Sequence, residues 1–132
     1  MSNPPFVLVV DDDPNFREIF STTLTAAGFR VEMAVNGKEG VEKTFALHPD
    51  LVLMDVQMPV LNGIDAFLKI KGDPRDGNVK VIFLTVLGDP RVEVQEINRR
   101  LSRELGAVGY IKKTDAPDLL VNHIKSLFAL AS

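Results

Sequence analysis

The sequence predicts a doubly wound α/β domain built on a five-stranded parallel sheet. Three observations carry this expectation. Continuous apolar runs of strand length recur along the chain (Phe6 to Val10, Leu51 to Met54, Val79 to Leu84), as expected of strands covered on both faces. Amphipathic stretches at helical spacing alternate with them. Right-handed crossovers between parallel strands then put helices on both sides of the sheet. For a sheet of this size the common strand order is 2-1-3-4-5, so strands 1 and 3 are neighbours where the winding reverses. Ligands bind in that crevice, at the C-terminal ends of the strands.

Each element has its own signals. After Phe6 to Val10, Asp13 is suited to an N-cap and Pro14 to the first helical position. Phe16, Ile19, Phe20, Thr23 and Leu24 follow at helical spacing, and Gly28 can end that helix. Phe29 to Ala34 reads as the second strand. Asn36-Gly37 opens a second helix with Val41, Thr44, Phe45 and His48 on one side, and Pro49 stops it. The third strand runs from Leu51 to Met54 and meets Asp55, and a helix from about Ile64 to Lys71 comes next. The turn-forming run from Gly72 to Asn78 is a surface loop. Val79 to Leu84 is the fourth strand and ends at Thr85. A long helix is expected from Pro90 to Leu105, with Val94, Ile97, Leu101 and Leu105 inward. Val108 to Ile111 is a short fifth strand. Asp115 caps a last helix whose apolar face is Leu120, Ile124, Leu127 and Phe128.

With 132 residues the chain suits one domain, structured from about residue 5 to 129. A hydrophobic share of 45% with 25% charged residues is that of an ordinary globular protein. The formal charge of −3 offers no general attraction to nucleic acid. The absence of cysteine excludes disulfides, thiolate metal sites and cysteine nucleophiles. The N-terminal residues Met1 to Pro5 lack the basic region of a signal peptide, and the apolar run after them is too short to span a membrane. A cytoplasmic protein without direct nucleic-acid or membrane partners is expected.

The topology gathers chemistry at one edge. Asp11 and Asp12 end strand 1, Asp55 ends strand 3, Thr85 ends strand 4 and Lys113 follows strand 5. Three close carboxylates repel one another unless a cation joins them. An oxygen-only, strongly negative donor set suits a hard divalent ion, Mg²⁺ in particular. A carboxylate can also attack phosphorus and carry a covalent phosphoryl group. A metal ion and a lysine ammonium would offset charge on that group, and the Thr85 hydroxyl could donate to it.

These residues resemble the receiver domain of bacterial two-component response regulators over essentially the whole chain. The matching motifs are Val9-Val10-Asp11-Asp12-Asp13-Pro14, then Pro49 through Pro59 with Gly63 beyond, Phe83-Leu84-Thr85, and Gly109-Tyr110-Ile111-Lys112-Lys113. Each is weakly specific alone; together, in this order, they are strongly specific. The resemblance implies a flavodoxin-like (βα)5 fold with Asp55 as phosphoacceptor. It implies Mg²⁺, with Mn²⁺ able to substitute, on Asp11, Asp12, Asp55 and the backbone carbonyl of Gln57. Thr85 and Lys113 would contact phosphoryl oxygens, and Tyr110 would be the switch aromatic. Lys112 competes with Lys113 on alternation alone; the motif register selects Lys113. The implied donor is a sensor histidine kinase or histidine phosphotransfer protein. The implied receiver of the signal is a protein partner or output domain, or a second copy, meeting the 90–105 helix, the last strand and the last helix.

The chain departs from the family in three places. Thr114 stands where proline commonly follows the lysine, and a cis bond there costs more without proline. Val86 stands where a small residue often follows the threonine. The 28-residue separation of Thr85 and Lys113 is longer than usual and extends the 90–105 helix. Plainer readings apply elsewhere. Asp13 is a cap, His48 and His123 are surface or structural residues, and Arg99, Arg100 and Arg103 read as a solvated face with Glu96 paired to Arg100, a docking surface being the alternative. Two other functions stand beside the leading one. A receiver-like interaction module need not take phosphate at all. A phosphatase of the haloacid dehalogenase type also combines aspartate, threonine, lysine and Mg²⁺. Asp11-x-Asp13 matches its opening, but the later motifs do not follow. A flavin carrier is disfavoured by the acidic first loop. The last helix ends close to residue 132, so the sequence reads either as a stand-alone receiver or as a piece of a longer regulator.

Overall fold

A computed structural model describes residues 4–55, 63–73, 79–85, 109–112 and 117–128. Five parallel strands form one sheet: β1 (Phe6–Val10), β2 (Arg30–Ala34), β3 (Leu51–Asp55), β4 (Lys80–Thr85) and β5 (Gly109–Lys112). Their order is β2-β1-β3-β4-β5, as the sequence predicts. The described helices are α1 (Pro14–Ala26), α2 (Gly37–Leu47), α3 (Gly63–Lys71) and α4 (Pro117–Leu127). The helix expected over 90–105, Gln57, Lys113 and the cap at Asp115 lie outside the described residues. Among the described residues no helix is long and apolar enough to cross a membrane.

Every residue of β1 and β3 is buried, which explains why these strands are continuously apolar rather than alternating. Alternation along each strand divides the core in two. Val7, Val9, Leu51, Leu53, Ile82 and Leu84 pack with Phe20 and Leu24 of α1 and Leu120, Val121 and Ile124 of α4. Leu8, Val10, Val52, Met54, Val81 and Phe83 pack with Ala66, Phe67 and Ile70 of α3. Phe67 meets Phe83 edge to face, with centroids 5.3 Å apart.

Local chemistry starts and stops the helices. Asp13 caps α1 by accepting from the Asn15 N–H at 2.9 Å, and Pro14 follows it. Gly28, at φ +96°, turns the chain after the Ala27 cap. Ile19 is an exception on α1: it is 44% exposed, whereas Phe20 and Leu24 are buried and Phe16 packs, partly buried, against the same core. Asn36 caps α2 by accepting from the Glu39 N–H at 2.8 Å.

The buried side of α2 shares only Thr44 with the expected one. It consists of Gly37, Gly40 and Thr44, whereas Val41 and Phe45 are half-buried and His48 is exposed. The reason is close approach. A Cβ on Gly40 would lie 2.8 Å from Cγ1 of Val10, so the helix rides on its glycines. Thr44 satisfies its buried hydroxyl by donating to the Gly40 carbonyl at 2.7 Å. His48 is the left-handed cap of α2 at φ 52°, and proline follows it.

The N-terminal ends of the strands are stitched together by Asp50. Its N–H donates to the Phe6 carbonyl at 2.8 Å, and its Oδ2 accepts from the Phe6 N–H at 2.8 Å. Its carbonyl accepts from the Lys80 N–H at 3.3 Å. One residue thus fixes the starts of β1, β3 and β4 in register before any of them reaches the other edge.

Candidate functional site

The opposite edge gathers acid. Val10 pairs with Met54 in register, so β1 and β3 end side by side. Asp11 follows β1 directly and Asp55 is the last residue of β3. Carboxylate oxygens of Asp11, Asp12 and Asp55 all lie within 4.8 Å of one another. Asp11 is 0% and Asp55 3% exposed, while Asp12 is open to solvent. Two buried carboxylates at that separation repel by about 3 kcal/mol at an effective dielectric constant of ~20. A cation placed among the three would turn this repulsion into attraction.

The donor set decides which cation fits. It offers only oxygen, it is rigid where Asp11 and Asp55 end buried strands, and it is open to water at Asp12. Such a set suits a small hard ion that keeps several of its waters and shares the rest of its shell with a phosphate.

The loop carrying two of these carboxylates is held from three sides. The Asp11 N–H donates to the Ala34 carbonyl of β2 at 3.2 Å. Asp11 Oδ1 accepts from the Asp13 N–H at 2.9 Å. The Asp11 carbonyl accepts from Arg17 Nη1 of α1 at 2.8 Å. Asp13 serves as a cap, as its sequence context predicts.

Thr85 is the final residue of β4, one position beyond Leu84, the register partner of Asp55. Thr85 in turn pairs with Lys112, the last residue of β5, and Tyr110 pairs with Phe83. The backbone therefore brings Thr85 to the same edge as Asp11 and Asp55. The side chains of Thr85 and Tyr110, and all of Gln57 and Lys113, lie outside the described residues. His48 and His123 are exposed.

Two polar contributors were not singled out by the sequence. Asp50 sits between a proline and an apolar run and reads as a turn residue. Arg17 carries a clearer signal: a cation near the start of a helix opposes the helix dipole, so its position implies a partner nearby.

A five-stranded sheet in this order, with aspartates at the C-terminal ends of β1 and β3, points to a family. Residues 7–125 match the response regulator receiver domain model, and the chain belongs to that family: it is a receiver domain of two-component signalling. Among its relatives is the chemotaxis protein CheY of Thermotoga maritima, 37% identical over 123 residues that cover 92% of this chain and 95% of that protein. The DNA-binding dual master transcriptional regulator RpaA of Synechocystis is 28% identical over 93% of this chain, which spans only 48% of that longer protein. The signal receiver domain of a histidine kinase from Syntrophus aciditrophicus superposes with a TM-score of 0.80 at 33% identity, covering 95% of this chain and 90% of that one.

Proposed function

We propose that this receiver domain takes a phosphoryl group from a phosphohistidine onto Asp55 and relays the change to a protein partner. The observation that carries this is the meeting of Asp11, Asp12 and Asp55 within 4.8 Å at the end of β1 and β3. In the transfer, an Asp55 carboxylate oxygen attacks phosphorus and an O–P bond forms. The N–P bond to the donor imidazole breaks, and its electron pair stays on the imidazole nitrogen, which takes up a proton. Asp11, Asp12, Asp55 and the Gln57 carbonyl are the residues that would hold Mg²⁺, or Mn²⁺ in its place. The ion would supply charge neutralisation and orientation at the transferring group.

Thr85 and Lys113 are assigned to phosphoryl oxygens and Tyr110 to the switch. The support is the backbone register that ends β4 at Thr85 and β5 beside it, together with the motifs of the family. A hundredfold change in the balance of two conformations needs about 2.7 kcal/mol. One or two charge-assisted hydrogen bonds of ~1.5–3 kcal/mol each supply that. The chain acts on no substrate but itself. Its donor is a sensor histidine kinase or phosphotransfer protein in the cytoplasm. Its output surface comprises the 90–105 segment, β5 and α4, used by a partner, an output domain or a second copy.

Incubation with acetyl phosphate and Mg²⁺, followed by intact mass measurement, tests the assignment. One phosphoryl adduct is expected on the wild type and none on Asp55→Ala. An unmodified wild type would favour the receiver-like module that takes no phosphate, and an undiminished adduct on Asp55→Ala would move the acceptor elsewhere.

A further inference from the structure

We propose that Arg17 is a positioning residue for the acidic site: by holding the Asp11 carbonyl it fixes the Asp11–Asp12 peptide and so aims the Asp12 carboxylate at Asp11 and Asp55. This rests on reading the three aspartates as a Mg²⁺ site.

The three carboxylates are not held equally. Asp55 ends a fully buried strand. Asp11 is buried and tied through its N–H to Ala34 and through Oδ1 to the Asp13 N–H. Asp12 is exposed, yet its carboxylate lies within the same 4.8 Å as the others. What sets its direction is the peptide unit that precedes it. The Asp11 carbonyl and the Asp12 nitrogen and Cα share one plane, so a donor on that carbonyl orients the bond from which Asp12 grows. Arg17 Nη1 is that donor, at 2.8 Å. The base of the lever is itself firm: Arg17 lies in the first turn of α1, and its own N–H makes the first bond of that helix, donating to the carbonyl of the Asp13 cap at 2.9 Å.

The sign of the effect separates positioning from simple charge. A guanidinium beside a metal site repels a cation, so removing the charge alone tightens Mg²⁺ binding. Removing a brace loosens it. Groups that orient metal ligands without touching the metal typically contribute ~10–100-fold in affinity. The low end, roughly tenfold, is expected here because charge relief opposes the loss.

Calorimetric titration of Mg²⁺ into wild type, Arg17→Met and Arg17→Lys tests this without any phosphoryl transfer. Arg17→Met should bind roughly tenfold more weakly. Arg17→Lys keeps a donor of similar reach, and the present contact uses one N–H, so it should recover at least half of that loss on a logarithmic scale. In an Asp12→Ala background, Arg17→Met should add little, because the brace then has nothing to aim. Mg²⁺ binding by Arg17→Met as tight as wild type or tighter overturns the proposal. So does a full, additive loss in the Asp12→Ala background, or a Lys variant no better than Met. Thermal unfolding in EDTA confirms that each variant is folded; if Arg17→Met is not, Arg17→Gln takes its place, alone and in the Asp12→Ala background, with the same outcomes expected. A wild type that shows no saturable Mg²⁺ binding is a different failure, since it removes the metal-site reading itself.

Discussion

Asp50 and Asp55 sit at the two ends of the same buried strand and do opposite things. Asp50 spends its polar atoms on the chain: Phe6 and Lys80 are bound to it, and three strands start in register. Asp55 lies buried against two further carboxylates. Position on the sheet, not residue type, separates the roles. At the N-terminal edge, loop backbone returns to meet the strands and supplies hydrogen-bond partners. At the C-terminal edge of β1 and β3 the winding reverses: α1 and α3 pack on opposite faces of the sheet, and it is at such a point that ligands bind. Hydrogen bonds that tie the strands together lie at one end and the acidic cluster at the other.

The sharpest way to break this contrast is to exchange the fates of the two aspartates. Asp55→Asn should lose the phosphoryl adduct entirely in the acetyl phosphate assay, because an amide is not a nucleophile toward phosphorus. The rise of the thermal midpoint with added Mg²⁺ should also shrink, since a ligand that binds the folded state stabilises it in proportion to its affinity. If Asp55→Asn is phosphorylated, or if its Mg²⁺-dependent shift equals that of the wild type, the reactive end has been misplaced.

Asp50→Ala should do the reverse. It leaves the N–H of Phe6, a residue only 1% exposed, without the carboxylate that accepts it. A hydrogen bond to a charged group contributes ~1.5–3 kcal/mol, so urea unfolding should show a loss of about 2 kcal/mol while the adduct still forms on Asp55. A variant that keeps full stability but loses the adduct would show that the two ends are coupled rather than divided in function.

How much of this contrast was legible in the sequence follows from the same geometry. Asp11, Asp12 and Asp55 were readable because each lies at the end of an apolar strand or within two residues of it, and strand ends are where a parallel sheet collects ligands. The strand order followed from length and alternation alone. Asp50 and Arg17 were not readable as partners of Phe6 and Asp11, because their contacts are to backbone atoms, which leave no mark in residue type. The α2 face was misjudged for a related reason. Apolar spacing pointed to Val41 and Phe45, but the sheet approaches so closely that only glycine and threonine fit beneath the helix.

That close approach supplies the next test, now at the reactive end. Gly40→Ala adds a methyl where Cγ1 and Cγ2 of Val10 stand 2.8 and 2.9 Å away. Overpacking costs ~1–3 kcal/mol, and the better helix propensity of alanine returns about 1 kcal/mol. A net loss of about 1 kcal/mol is expected. Val10 immediately precedes Asp11, so Mg²⁺ affinity should fall with it. A stabilised variant would mean that α2 moves away from β1 freely, and that the reactive edge does not depend on this contact.

The smallest effect concerns like charges at the quiet end. Lys71, at the end of α3, donates to the Val79 carbonyl just before β4 and lies near Lys80, the first residue of that strand. Burial, and then the Lys80 ammonium, hold the Lys71 pKa below its ordinary 10.5. Here the ammonium is met locally, by a backbone acceptor and by the Phe67 ring 6.0 Å away. The sign of its pH dependence follows. Below the lowered folded-state pKa, Lys71 is charged in both states and its charge disfavours folding. Between that pKa and 10.5 the unfolded chain binds more protons than the folded one, so the Lys71 contribution to stability rises with pH. Urea unfolding of wild type and Lys71→Met between pH 7 and 10.5 should therefore show the wild type gaining on the variant as pH increases. A difference that stays constant, or moves the other way, would place Lys71 among ordinary solvated lysines and leave Asp50 as the main polar determinant of that edge.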